Sequence, residues 1–166
     1  MRIQDYLADQ QLGFEMMLHP PASSATHLAR CVHVPGRGVA KAVLVNVGQT
    51  FLLCVLPATH RVDLAALGTF LIPTASPRIA TEAEVATLFH DCEPGALPPF
   101  GSIYGVATLV DTSLEGCDSI VFEANTRYES LRMSFLDYQQ VEAPDHARFA
   151  TPIATRRRKG PERKAG

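Results

Sequence analysis

The sequence predicts one mixed α/β domain, a sheet flanked by helices. Three observations carry this. Helical and strand patterns alternate along the chain rather than forming separate blocks. Two apolar strand runs, Lys41–Val47 and Thr50–Leu56, are joined by Gly48-Gln49, which marks a hairpin. The length of 166 residues, with 46% hydrophobic and 19% charged residues, suits one domain with a core of its own.

The elements follow in order. Ile3, Tyr6 and Leu7 form the apolar stripe of a helix over 2–12, ended by Gly13. Phe14–Leu18 reads as a strand stopped by His19-Pro20-Pro21. Ser23 or Ser24 can cap a helix over Ala25–Cys31, and Val34–Gly38 is a loop. Both hairpin strands are nearly all apolar, so both faces are expected to be covered. Thr59 or Asp63 starts a helix through Gly68, and Leu71-Ile72 is a short strand candidate. Thr81 with Glu84 forms a capping box for a helix to about His90. Residues 91–105 are too rich in Gly and Pro for long regular structure. Val106–Asp111, Ser119–Glu123 and Glu129–Met133 read as strands, with a turn at Ala124–Arg127. Ser134 caps a helix over Phe135–Gln140, and Pro144 is expected to close the folded part.

Composition excludes several classes. Cys31, Cys54, Cys92 and Cys117 show no CxxC spacing, and Cys54 lies in the apolar run FLLCVL, where a reduced buried thiol is expected. The six histidines are scattered and form no HxxxH or HExxH pattern, so no metal site and no cofactor is expected. The apolar runs are too short for a membrane span, and MRIQDYLADQQ lacks the apolar stretch of a signal peptide. A soluble cytoplasmic protein without a membrane partner is the expectation. The domain is placed at 1–150, followed by a basic, disordered tail at 151–166. Residues 156–166 hold six basic residues and one acid. Taking these from the totals of 15 and 17 leaves nine basic and sixteen acidic residues, a body with net charge −7. The tail can attract phosphates without sequence preference, or be only a solvated terminus.

Three places could carry chemistry. Lys41 stands at the mouth of the run AVLV, where an ammonium must snorkel to water or meet an anion. Gly95-Ala96-Leu97-Pro98-Pro99-Phe100-Gly101 combines stiff prolines with two glycines that let the backbone approach a ligand, or it is a tight connector. Asn125, after a strand end, either offers an amide to a ligand or is a turn residue in left-handed geometry. No GxSxG elbow, Walker A pattern or GxGxxG is present, and His90 and Cys92 are badly spaced for a thiol–base pair.

The order of "GVAKAVLV", hairpin, "VDL" helix, "EPGALPPFG" and "EANTRYESLRMSFLDYQQV" resembles the YbaK/prolyl-tRNA editing-domain family over about residues 1–143. The resemblance implies a mixed, partly barrel-like sheet surrounded by helices. It implies hydrolysis of the ester of a mischarged aminoacyl-tRNA, with the acceptor end as partner. Lys41 matches the family's functional lysine, and Gly95 and Gly101 match glycines of the loop that shapes the pocket. Asn125 falls in the segment lining the amino-acid side. Ser130 departs from members that carry Asp there, which bears on side-chain specificity.

An aminoacyl ester is already activated, so such a site needs positioning and an oxyanion site rather than a strong nucleophile. On this resemblance Lys41 fixes the terminal adenosine through phosphate or ribose. Backbone N–H groups near Gly95 and Gly101 polarise the carbonyl, and the ribose hydroxyl assists water. A pocket lined by Phe14, Met16 and Val45 would favour Ala, Ser or Cys, with tRNA-Pro as the expected carrier. Arg37, with Arg30 and Lys41, offers a basic patch to the RNA. Two other readings stay open: a binding module on the same fold without turnover, and hydrolysis of an ester not carried by tRNA.

Overall fold

The computed structural model describes residues 1–71 and 76–154. Its helices are α1 (Ile3–Asp9), α2 (Ala25–Cys31), α3 (Leu64–Phe70), α4 (Glu82–Leu88) and α5 (Phe135–Glu142). Its strands are β1 (Glu15–Leu18), β2 (Ala40–Val47), β3 (Thr50–Pro57), β4 (His60–Val62), β5 (Arg78–Ile79), β6 (Ala107–Asp111), β7 (Ser119–Glu123), β8 (Glu129–Ser134), β9 (Asp145–Ala147) and β10 (Ala150–Pro152). The mixed α/β class expected from the sequence is the one observed.

The caps are local chemistry. Ser24 Oγ accepts the His27 N–H at the start of α2, and Asp63 accepts from Ala65 and Ala66 at the start of α3. The Thr81–Glu84 capping box of α4 is formed in both directions.

The large sheet has the order β5-β2-β3-β6-β9. β2 and β3 pair antiparallel from Ala40 opposite Pro57 to Val47 opposite Thr50, while β3–β6 and β6–β9 are parallel. A second, antiparallel sheet has the order β1-β8-β7. Among the described residues the two sheets meet at one isolated parallel bridge, Val39 to Val121. They do not close into a barrel.

The main core lies between the sheets, with Leu44, Leu53, Phe100, Phe122, Leu131 and Tyr138 buried in it. Val45, Cys54, Leu56, Leu67 and Phe149 form a layer under α3. Leu28, Ala29, Val39 and Val121 form another under α2. Both hairpin strands are thus covered on both faces, as their composition required. Burial pushes the Cys54 thiol up to about 12, the state of an unreactive core group.

Two expectations need correction. Pro144 does not close the fold, because β9 and β10 follow it and Phe149 is 1% exposed in the core. Asp111 holds that segment, accepting the Phe149 and Ala150 N–H groups at 2.8 Å each. Leu71 lies outside any strand, and Ile72 falls outside the described residues, as do residues 155–166 with the six cations of the tail.

Candidate functional site

The site grows out of the seam between the two sheets. Val39 and Val121 are bridged in parallel register, so Lys41 and Glu123 follow as the next pair on the same face. The pairing stops at the bridge, and the strands part beyond it. β5 picks up the same edge of β2 only at Val45 and Asn46. Between these points β2 has an open edge. Leu44 C=O accepts the Ala80 N–H, so the Ala42 N–H and C=O, two residues earlier, face the same open side.

A cavity of about 200 Å³ occupies this gap, lined by Ser23, Ser24, Lys41, Ala42, Gly95 and Glu123 among others. Across the 95–97 loop, and sharing Ala42, Gly95 and Leu97 with it, lies a more apolar cleft of about 580 Å³ against Val85, Phe89 and Ala80.

Lys41 sits between the α2 layer, through Val39, and the α3 layer, through Val43 and Val45. That position half-buries it and lowers its pKa through loss of solvation. Glu123 closes the apolar strand Ser119–Glu123. Burial raises its carboxyl to about 7, opposed by the charge of Arg127. Neither group forms an ion pair among the described residues. The cavity therefore holds a cation and a carboxyl that are neighbours in register yet not paired.

The loop supplies backbone donors. Gly95 has φ +84°, and a side chain there would meet nothing within 4 Å. Ala96 N–H donates to Glu93 C=O at 3.0 Å, whereas the N–H groups of Gly95 and Leu97 have no partner among the described residues.

Of the residues the sequence singled out, Lys41 and Gly95 come together here. The others do not line the cavity. The Gly101 N–H is already used, donating to Thr108 Oγ1 at 3.0 Å. Asn125 is 2% exposed, and its polar atoms are taken inside the protein. Its Oδ1 accepts the Ile3 N–H at 2.9 Å, and its Nδ2 donates to Tyr104 Oη at 3.1 Å and Cys92 Sγ at 3.3 Å. Its φ of +67° makes it the left-handed turn residue. Phe14 packs on the main core, Met16 is 52% exposed at the surface, and Val45 points under α3. Arg37 is exposed in the turn Gly36–Gly38, where its carbonyl accepts the Cys117 thiol.

Ser130 is a different case. It is buried opposite Glu123 on β8, and its Oγ has no hydrogen-bond partner. Among the described residues, His19 Nε2 is the other buried side-chain atom without one.

Glu123 is the residue the sequence reading missed. Its signal was present: a carboxylate ends SIVFE much as an ammonium begins AKAVLV. Among the described residues no group of three or more His, Cys, Asp or Glu comes together to hold a metal ion, and no helix is long and apolar enough to cross a membrane.

Fold and site define a small α/β domain whose cavity holds an ammonium and a carboxyl that do not pair with each other. The chain belongs to the aminoacyl-tRNA editing domain family, whose model matches residues 19–141. Comparison with curated protein sequences gives no match.

Solved structures show the same fold. A candidate trans-editing enzyme for prolyl-tRNA synthetase aligns with TM-score 0.79 and 18% identity, over 90% of this chain and 94% of that one. A scaffold from computational epitope grafting aligns with TM-score 0.79 and 16% identity, over 90% and 95%. A candidate signal transduction protein from Marinobacter aquaeolei VT8 aligns with TM-score 0.70 and 20% identity, over 90% of this chain but 30% of that one.

Proposed function

We propose that this domain is a free-standing hydrolase that removes a mischarged small amino acid, such as Ala, Ser or Cys, from tRNA, with tRNA-Pro as the carrier. The observation that carries this reading is the junction of Lys41 and the open Gly95 loop in one cavity, inside an editing-domain fold. A desolvated, unpaired ammonium is suited to the phosphate or ribose of the terminal adenosine. The unpartnered N–H groups of Gly95 and Leu97 are suited to the oxyanion that forms as water attacks the ester. Gly101 has no such role, because its N–H is committed to Thr108.

A cavity of about 200 Å³ fits a small side chain. A methylene changes binding by only about 1–3 kcal/mol, so a second hydrolytic sieve is the chemical reason for such an enzyme. The ester is activated and the charges come from the protein, so the reaction needs no metal. The reading places the protein with its charged tRNA in the cytoplasm.

The test is deacylation of Ala-, Ser- and Cys-tRNA-Pro by wild type and Lys41→Ala, with and without a chelator. The expected result is hydrolysis of one ester, unchanged by the chelator and about 100-fold slower in the variant. No hydrolysis by folded wild type would replace the enzyme with a binding module. Activity that survives Lys41→Ala would overturn the role of the lysine, and loss with the chelator would overturn the metal-free chemistry.

A further inference from the structure

The deacylase reading uses the cation and the backbone donors of the cavity but leaves its carboxyl without a task. Glu123 is held there by construction. The Val39–Val121 bridge puts it beside Lys41 in register, and the parting of β2 and β7 keeps the two from pairing. Arg127, the cation whose charge it feels, is turned elsewhere, its Nε donating to Ala22 C=O at 3.0 Å. Behind Glu123, directly opposite on β8, Ser130 Oγ is buried and unpartnered. That hydroxyl is an unused donor at the strand position opposite the carboxyl. A buried carboxyl without a cation is costly unless a ligand supplies one.

An aminoacyl nucleotide carries one cation, the α-ammonium, one bond from the carbon that bears the ester carbonyl. Its anions are the phosphates on the nucleotide side. With Lys41 assigned to the nucleotide, the remaining charge of the cavity matches the remaining charge of the substrate. We infer that Glu123 binds the free α-ammonium of the aminoacyl group, so that the domain accepts aminoacyl esters and rejects those whose amine is acylated. The inference rests on the deacylase reading above and adds a specificity to it. N-acylation removes the positive charge and adds bulk at the same point, so formylated and peptidyl esters would be spared.

The experiment compares Ala-, Ser- and Cys-tRNA-Pro with their N-acetyl derivatives, using wild type, Glu123→Gln and Glu123→Asp, each checked for folding by thermal unfolding. Wild type is expected to prefer the free amine by about 10–100-fold, the range of one hydrogen bond to a charged group. Glu123→Gln should slow the free-amine ester by a similar factor and leave the acetylated one unchanged, while Glu123→Asp keeps part of the preference. Equal hydrolysis of both esters by wild type would overturn this inference and leave the deacylase reading standing. So would a variant that slows both esters alike, which is the mark of a proton acceptor or of a displaced Lys41. Should Glu123→Gln fail to fold, the wild-type ratio and Glu123→Asp decide. Hydrolysis of neither ester by folded wild type would remove the deacylase reading and this inference together.

Discussion

The two ends of the 95–101 loop contain the same residue type for opposite reasons. Gly95 is exposed at φ +84°, faces open space and leaves its N–H without a partner. Gly101 is buried at the other end, where a Cβ would stand 2.4 Å from the Val106 carbonyl oxygen and 2.6 Å from Thr108 Oγ1. The same contrast extends to the neighbours. Around Gly95 stand unpaired groups, Lys41 and Glu123. Around Gly101 the side chains of Ser102, Thr108, Tyr138 and Glu142 are all engaged. Glu142 accepts from Thr108 and from Ser102 N–H and Oγ, and Tyr138 Oη donates to Pro99 C=O at 2.8 Å. At the loop's entrance, Glu93 N–H donates to Asn125 C=O, and Glu93 accepts the Arg127 N–H, both at 2.8 Å. One side is clamped so that the other can be left open. Substitutions on the clamped side should cost stability, and those on the open side should cost activity.

The largest expected effect is on the clamped side. Gly101→Ala should destabilise the domain by at least about 3 kcal/mol, because the methyl meets backbone rather than a movable side chain. Denaturant unfolding checks this, and a near-wild-type midpoint would break the contrast.

On the open side the sign reverses. The Glu123 carboxyl is raised from 4.5 to about 7. Below pH 4.5 both states hold the proton. Between there and pH 7 the unfolded chain releases it first, so stability should fall as pH rises, by up to about 3 kcal/mol, and then level off. Glu123→Gln should remove that fall and be the more stable protein above pH 7, as read by unfolding across the pH range.

Asn125→Ala should cost about 2 kcal/mol, from the lost bond to the Ile3 N–H and from left-handed backbone, and should leave the Lys41-dependent rate of the folded fraction intact. Tm and specific activity separate the two. The last change removes residues 155–166. It should weaken tRNA binding at low salt and spare hydrolysis of an aminoacyl-adenosine fragment, and equal loss on both would remove the tail's role.

The sequence was most legible where local chemistry decides. The α2 and β7 ranges and the Thr81 capping box follow from side-chain identity and alternation alone. β4, β9 and β10 are three residues each, too short to show a period. Lys41 stood out because an ammonium beside an apolar run is conspicuous. Glu123 did not, since its place beside Lys41 in register depends on a bridge between Val39 and Val121, far apart in the chain. Phe14 and Met16 do not line the cavity: Phe14 precedes β1 and packs on the core, and the four residues of β1 are too few for alternation to show where Met16 points. Asn125 behaved as the turn residue that its type and place already allowed.

β1 pairs with β8, Glu15 opposite Arg132, across 117 positions, and the Ile3 N–H is held by Asn125 across 122. During synthesis the first strand therefore leaves the ribosome long before the strand it needs exists. Met17, which packs in the α2 layer, has no partner across the sheet until Ser130 is made. Closing so long a loop is slow, so β1 should dock later than the β2–β3 hairpin forms, whose paired ends Val47 and Thr50 are close neighbours in the chain.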